Sequence, residues 1–420
     1  MTARPQPRPA VWISGMGVVS PLGQGVAAQR AALAAGRGGI GWIQHFDVTG
    51  FPVRIAGEAP APGLPPGPGR LHYFAALALA EALEQAELPR PAAADPRRAV
   101  VWAVGKPAVP LAELREWAGD LPAGGETSAR LRRRYAAYLQ DRGLTPAHLL
   151  ERLARAADAG GRRLALYTAC ASGNDALGVG KRMIERGDAE VVIAGGADSQ
   201  VDPLSLLEFE LLAALAHPAA GENPEEVCRP FDRRRTGFVV GEGAAALVLE
   251  SEAHLRRRGG RGLARLAGYG SSLDAFGLTK CHPEGRGAAA AMTAALADAA
   301  VLPAEVDYIN AHGTGTVLND RAEAAAIGHV FGSRAAQVAV SSTKAMTGHL
   351  IAAASAVEAV LTVLGLEDGF IPASLNFQTP DPECPLDVVA GAGRHVPVRL
   401  ALSNGFGFGG QNACVVLARA

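Results

Sequence analysis

Cys170 stands in "LALYTACASGNDALGVG" (164–180), where an apolar run ends in Thr168-Ala169-Cys170 and small residues follow, Gly173 and Gly178 among them. The pattern predicts a strand-to-helix turn with the thiol near the first helical turn. There the unpaired N–H groups and the positive end of the helix dipole favour a thiolate. The same N–H groups can serve as an oxyanion hole. Taken alone, the residue equally admits a second reading as a small buried hydrophobe, the usual fate of a free cysteine.

Three further stretches carry residues of chemical interest. In "NAHGTGT" (310–316) a buried strand ends at Tyr308-Ile309-Asn310 and His312 sits at its tip. Strand ends are where α/β folds gather their active sites, although a lone histidine is more often structural. The hydroxyls of Thr314 and Thr316 suit a polar or phosphate-bearing ligand arm. In "SSTKAMTGHLIAAASAVEAVL" (341–361), Lys344 and His349 lie between a strand and a strongly apolar helix that carries Glu358. Lys344 and Glu358 can be solvated charges; a carboxylate on so apolar a segment otherwise needs a partner, and Lys344 or a histidine is available. In "NGFGFGGQN" (404–412) a glycine-rich loop precedes a strand instead of opening a helix, which argues against a dinucleotide fingerprint. Its alternating phenylalanines suit a loop whose rings swing over a pocket. Cys281-His282 has no partner at metal-ligand spacing, so no metal is expected.

The elements that must position these residues read as α/β. Apolar strands are expected at 10–19, 98–105, 189–199 and within 237–252, and helices at 71–88 and through the arginine-rich 111–157, with Thr145 as N-cap and Pro146 in the first turn. "AHLRRRGGRG" (253–262) is a charged, glycine-rich linker. Beyond it the plan repeats: 263–272 parallels the first strand, 306–316 and 337–364 are each strand, turn and helix, and 405–419 mirrors 237–252 in a glycine bend followed by a strand. Internal duplication is the expectation, with halves 1–258 and 259–420.

Composition narrows the classes. The 420 residues are 49% hydrophobic and 19% charged with a formal net charge of −1, which describes a globular protein without electrostatic reason to bind nucleic acid. Five scattered cysteines form no framework, and "MTARPQPRPA" has no apolar signal core. The apolar stretch 350–366 carries Glu358 and reads as a buried helix, not a membrane span. A reduced, cytoplasmic protein is expected.

Together, "SGMGVVSPLG", "TACASG", "AGGADS", "RPFDRRRTGFVVGEGAAALVLE", "NAHGTGT", "SSTKAMTGH" and "NGFGFGGQN" occur in one order along nearly the whole chain except roughly 104–160. In this the chain resembles the elongating β-ketoacyl-[acyl carrier protein] synthases, condensing enzymes of the thiolase fold. The two histidines distinguish it from initiating synthases, and Cys170 distinguishes it from chain-length-factor partners. The resemblance implies an α/β thiolase fold of two duplicated halves in α-β-α-β-α layers. It implies that Cys170 accepts an acyl group from an acyl carrier protein, that malonyl-carrier is decarboxylated, and that the carbanion attacks the thioester, in a fatty acid or polyketide-type pathway. His312 and His349 would be the neutral donors to the enolate. Lys344 and Glu358 would form the ion network that orients them, with Asp320 and Glu323 as further acidic positions. The backbone N–H groups of Cys170 and Phe408 would be the oxyanion hole and Phe408 the gate. Thr314, Thr316, Phe406, Phe209 and Thr279 would contact substrate. No cofactor is implied, since the carrier brings its own phosphopantetheine. A homodimer, or a heterodimer with a homologous subunit, is implied as well.

The chain departs from the family pattern at "AVGKPAV" (103–109), through the arginine-rich segment up to Cys170, at Thr236 where an aspartate is common, and at "LTKCHPEG" (278–285), where Lys280 can pair with a phosphate or an acidic carrier. Arg130, Arg132, Arg133 and Arg134 are expected either to dock an acidic carrier or to form a solvated helix face. Loss of elongation, leaving a carrier-dependent acyltransferase or decarboxylase, and a non-catalytic partner role are the alternative functions.

Overall fold

The computed structural model describes residues 8–64, 67–119, 127–277 and 280–420. Runs of V, I, L and A form most of the strands, and Arg98–Val104, Val191–Ser199, Glu242–Ser251 and Leu400–Phe406 are buried along their whole length, as helix-covered sheets require. Val11–Ser20, Arg98–Val104, Arg163–Leu166, Val191–Ser199 and Glu242–Ser251 come from the first part of the chain. Ala264–Leu273, Tyr308–Asn310, Ala339–Ser341, Leu400–Phe406 and Gln411–Arg419 come from the second.

In both sets the spatial order is third, second, fourth, fifth, first. The pairings also agree: the second strand is parallel to the third and fourth, while the fifth is antiparallel to the fourth and to the first. The two first strands meet in a short antiparallel junction, Trp12 opposite Arg265 and Ile13 opposite Ala264, which makes the sheet continuous. Helices Ser172–Glu185 and Ala354–Asp368 pack on each other and on strands of both sets, so they form a middle layer. Pro68–Ala86 covers the outer face of the first set, and Arg286–Ala299 that of the second.

The middle layer explains why 350–366 is so apolar: from Ala354 to Leu366 every residue of its helix is buried. No helix among the described residues is long and apolar enough to cross a membrane. Two sequence expectations need adjustment. The linker 253–262 is partly helical, because Glu252–Arg257 is a helix capped by the Ser251 side chain before the Gly259-Gly260 turn. The glycine-phenylalanine motif is not simply a bend before a strand. It closes a hairpin, and its first half belongs to Leu400–Phe406, a strand the glycines disguised.

The arginine-rich segment forms helices Leu111–Gly119, Thr127–Asp141 and Pro146–Ala156. Thr145 caps the last, its hydroxyl accepting from the His148 N–H at 3.3 Å. Val109, Trp117, Tyr138 and Leu139 make a small separate core there, and the Tyr135 hydroxyl ties it to the Pro107 carbonyl at 2.7 Å.

Candidate active site

Cys170 follows Ala169, which has φ 49°, and precedes helix Ser172–Glu185. A left-handed alanine is uncommon, and local bonds hold it: the Ser172 hydroxyl accepts from the Thr168 N–H at 2.7 Å and donates to the Ala169 carbonyl at 2.6 Å. The sharp turn lifts the thiol out of the strand direction toward the second half of the chain. Gly173 allows this, since a Cβ there would lie 2.3 Å from the Ala356 nitrogen. The two middle helices therefore touch backbone to backbone beside the thiol.

His312 and His349 reach the thiol from the second half. Glu323 fixes the first by accepting from the His312 N–H at 2.8 Å and the Gly313 N–H at 2.7 Å, and it is itself held by the Asn404 amide at 3.0 Å. His349 is held by its backbone: its N–H donates to the Val239 carbonyl at 2.7 Å, and its carbonyl accepts from Gly241 at 2.8 Å. Its Nε2 lies 3.0 Å from the Cys170 sulfur. The imidazoles meet edge to face with centroids 5.2 Å apart, and Phe406 and Phe238 pack against them. The sulfur and one nitrogen of each ring fall within 4.8 Å of one another, a spacing that would also suit a metal ion.

Burial and charge set the protonation states. Burial, and then the nearby Lys344 ammonium, push both histidines well below their ordinary range, so they are neutral. Burial pushes the Cys170 thiol up to about 12, opposed by Lys344 and by a hydrogen bond from the Phe408 backbone. The expectation that the helix start leaves the thiol ionised is thus corrected: desolvation outweighs the dipole, and the resting pair is thiol and neutral imidazole. Lys344 is buried against Glu358 in an ion pair. The pair does not hold the rings by contact, because neither Nδ1 has a hydrogen-bond partner among the described residues. Its influence on them is through the field.

A cavity of about 280 Å³ opens above the sulfur. Thr314, Thr316, Phe406, Phe408, Thr236 and the exposed Lys280 are among its walls. The two threonine hydroxyls lie 3.0 Å apart, and Thr316 also caps helix Val317–Phe331. Asp320 does not touch the rings; it accepts from the Phe231 and Gly315 N–H groups and so holds the threonine loop. Phe209 packs edge to face on Phe238 in the apolar cluster that includes Cys170, away from the cavity wall. Thr279 lies outside the described residues. A larger hollow of about 790 Å³ between Pro68–Ala86 and Pro146–Ala156 contains no thiol and is not the reacting site. Sequence reading missed Phe238 and Asn404, whose signal was faint: an aromatic beside a glycine bend, and an amide ending an apolar strand.

Fold and site define a condensing-enzyme class, and the sequence families agree. Residues 69–254 match the family model "Beta-ketoacyl synthase, N-terminal domain" and 263–378 match "Beta-ketoacyl synthase, C-terminal domain". The chain belongs to the β-ketoacyl synthase family and has its thiolase fold. It is 37% identical to the 3-oxoacyl-[acyl-carrier-protein] synthase 2 of Coxiella burnetii, over 97% of this chain and 98% of that one. It is 38% identical to the tetracenomycin polyketide synthase ketoacyl synthase alpha subunit of Streptomyces glaucescens, over 97% of each. Among solved structures, a type II polyketide ketosynthase bound to its acyl-carrier protein and a hexaketide superposes with a TM-score of 0.86 at 31% identity, covering 99% of this chain and all of that one. The ishigamide ketosynthase/chain length factor gives 0.85 at 34% identity, with the same coverage.

Proposed function

We propose that the chain catalyses decarboxylative Claisen condensation between an acyl thioester on Cys170 and malonyl-carrier protein. The observation that carries this is the convergence of one thiol and two neutral imidazoles at the base of a single cavity. In the first half-reaction the Cys170 sulfur bonds to the acyl carbon, the pantetheine sulfur leaves, and the thiol proton passes by way of His349 to that leaving group. The oxyanion faces the Cys170 and Phe408 N–H groups. In the second, malonyl-carrier loses carbon dioxide, and the enolate oxygen is met by the imidazole donors. The enolate carbon then attacks the thioester, and Cys170 leaves as thiolate and takes a proton from solvent.

The reaction as written needs no metal and no cofactor beyond the carrier's own pantetheine. Residues 1–258 would supply the nucleophile, and 259–420 the histidines and the glycine-phenylalanine hairpin. Lys344 with Glu358 sets the field at the rings, Glu323 clamps His312, Asp320 shapes the threonine loop, and Thr314 and Thr316 receive the pantetheine arm. The partners are an acyl carrier protein and a second ketosynthase-like subunit, identical or homologous, in the cytoplasm. Relatives of both fatty acid and polyketide type support the reaction class.

Intact-mass analysis after exposure to acyl-carrier, then malonyl-carrier, tests the reading. Acylation lost in Cys170→Ala and a product longer by one ketide unit are expected. A label that persists in Cys170→Ala, or transfer without elongation, refutes it. Charge reversal at Arg130, Arg132, Arg133 and Arg134 tests the arginine face: docking there raises the KM for carrier, and an unchanged KM removes the idea.

A further inference from the structure

Asp198 is the last acidic residue before the end of strand Val191–Ser199, and it is completely buried in an otherwise apolar run. Its carboxylate crosses from the first half of the chain to the second. One oxygen accepts from the Ala352 N–H at 3.0 Å and from the Gln200 amide at 2.9 Å; the other accepts from the Ser199 N–H at 2.9 Å. The space it occupies exists because residue 105 is glycine: a Cβ there would lie 2.1 Å from the carboxylate.

What the carboxylate holds is unusual. Between His349 and helix Ala354–Asp368 the chain turns through Ile351 with φ 46°. A β-branched residue in the left-handed region is a genuine outlier that persists only where its surroundings over-determine it. Ile351 is buried in the apolar cluster with Cys170, Phe238 and Phe209, and the bond from Asp198 lands on the next residue. His349 is thus anchored before the turn by Val239 and Gly241, and after it by Asp198.

We propose that Asp198 is a positioning residue, whose carboxylate latches the left-handed turn at Ile351-Ala352 and so keeps the His349 ring aimed at Cys170. The inference rests on the reading of Cys170 and His349 as the reacting pair. It acts through backbone, and Asp198 is not among the walls of the cavity above the sulfur. Asp198 also stands close enough to the thiol for its charge to oppose the thiolate, alongside Lys344, which favours it, and Glu358, which opposes it. Asp202 is the acidic neighbour on Asp198 itself, while Tyr167 feels its charge.

The test compares Asp198→Ala, Asp198→Asn and Gly105→Ala in the full chain, measuring condensation kinetics and the pH profile of Cys170 alkylation by iodoacetamide. Loss of the latch lowers kcat about tenfold to a hundredfold, the scale of small misplacements of a reacting group, with the KM for malonyl-carrier within about twofold. Asp198→Asn keeps an oxygen for Ala352 and retains most of kcat. Both Asp198 variants lose the charge, so both alkylation profiles move to lower pH, a change that a merely structural role would not produce. Gly105→Ala displaces the carboxylate without removing it and lowers kcat, which keeps the test decisive should Asp198→Ala fail to fold. Wild-type kcat in Asp198→Ala or Gly105→Ala, or equal kcat losses in the Ala and Asn variants, would each overturn the proposal. A wild-type chain that alkylates at Cys170 but never condenses would instead refute the condensing reading.

Discussion

The Nε2 atom of His349 lies 3.0 Å from the sulfur of Cys170, although the two residues are 179 positions apart. Burial shifts the pair in opposite directions, the thiol upward and the imidazole downward. The sulfur is therefore a protonated reserve, activated where a base and oxyanion donors already stand in place. Four outcomes follow from this arrangement and its supports.

Lys344→Met removes the positive charge that favours the Cys170 thiolate. The alkylation profile of Cys170 with iodoacetamide should move to higher pH. Glu358, left without its partner, reinforces the direction when ionised. An unmoved profile would show that the Lys344 charge is screened from the sulfur.

His312→Ala and His349→Ala should separate the half-reactions. His349 is hydrogen-bonded to the sulfur, whereas His312 faces the cavity without a bond to it. His312→Ala should still acylate at Cys170 but lose condensation by about 10²–10³, the usual effect of deleting one oxyanion donor. His349→Ala should slow acylation as well. Intact-mass time courses with acyl-carrier alone, then with malonyl-carrier, read both steps; equal acylation rates in the two variants would contradict the assignment.

Glu358→Gln should flatten part of the pH dependence of stability. Burial raises the Glu358 carboxyl from 4.5 to about 7 in the folded chain. Between those values the folded state binds more protons than the unfolded one, so this group's contribution is full below about 4.5 and is lost as pH rises through about 7. Denaturant titrations across that window should show stability falling with rising pH in the wild type and falling less in the variant.

Gly173→Ala should destabilise the chain and impair acylation together, since the added methyl would meet the Ala356 nitrogen at 2.3 Å. Overpacking of this kind costs about 1–3 kcal/mol or more. Gly328→Ala is the contrast: it lies within helix Val317–Phe331 with nothing within 4 Å of the added Cβ. It should be neutral or stabilising by about 0.4–1 kcal/mol. Thermal unfolding of both variants provides the comparison.

Much of the fold was legible because central strands such as Val191–Ser199 and Glu242–Ser251 are buried on both faces, and continuous V/I/L/A runs mark such strands. The agreement of the two halves could likewise be read from repeated strand, turn and helix signals. Leu400–Phe406 was less legible: the glycines in "NGFGFGGQN" argue for a loop, and only pairing with Gln411–Arg419 and Tyr308–Asn310 makes the segment a strand. Among site residues, Cys170, His312, Lys344 and His349 stood out by type at strand ends. Phe209 was placed nearer the cavity than the structure has it, because an aromatic's side of a wall depends on packing.

The sequence by itself determined which reactive groups exist, where along the chain strands give way to turns, and that the interior is apolar enough to exclude water. Those are properties of residue type and local order. Only the tertiary structure decided that the Cys170 sulfur stays protonated, that Lys344 answers Glu358, and that Asp198 grips the turn after His349. Each depends on distances between residues remote in sequence and on how completely water is removed around them, and neither quantity exists until the two halves close on the middle helices.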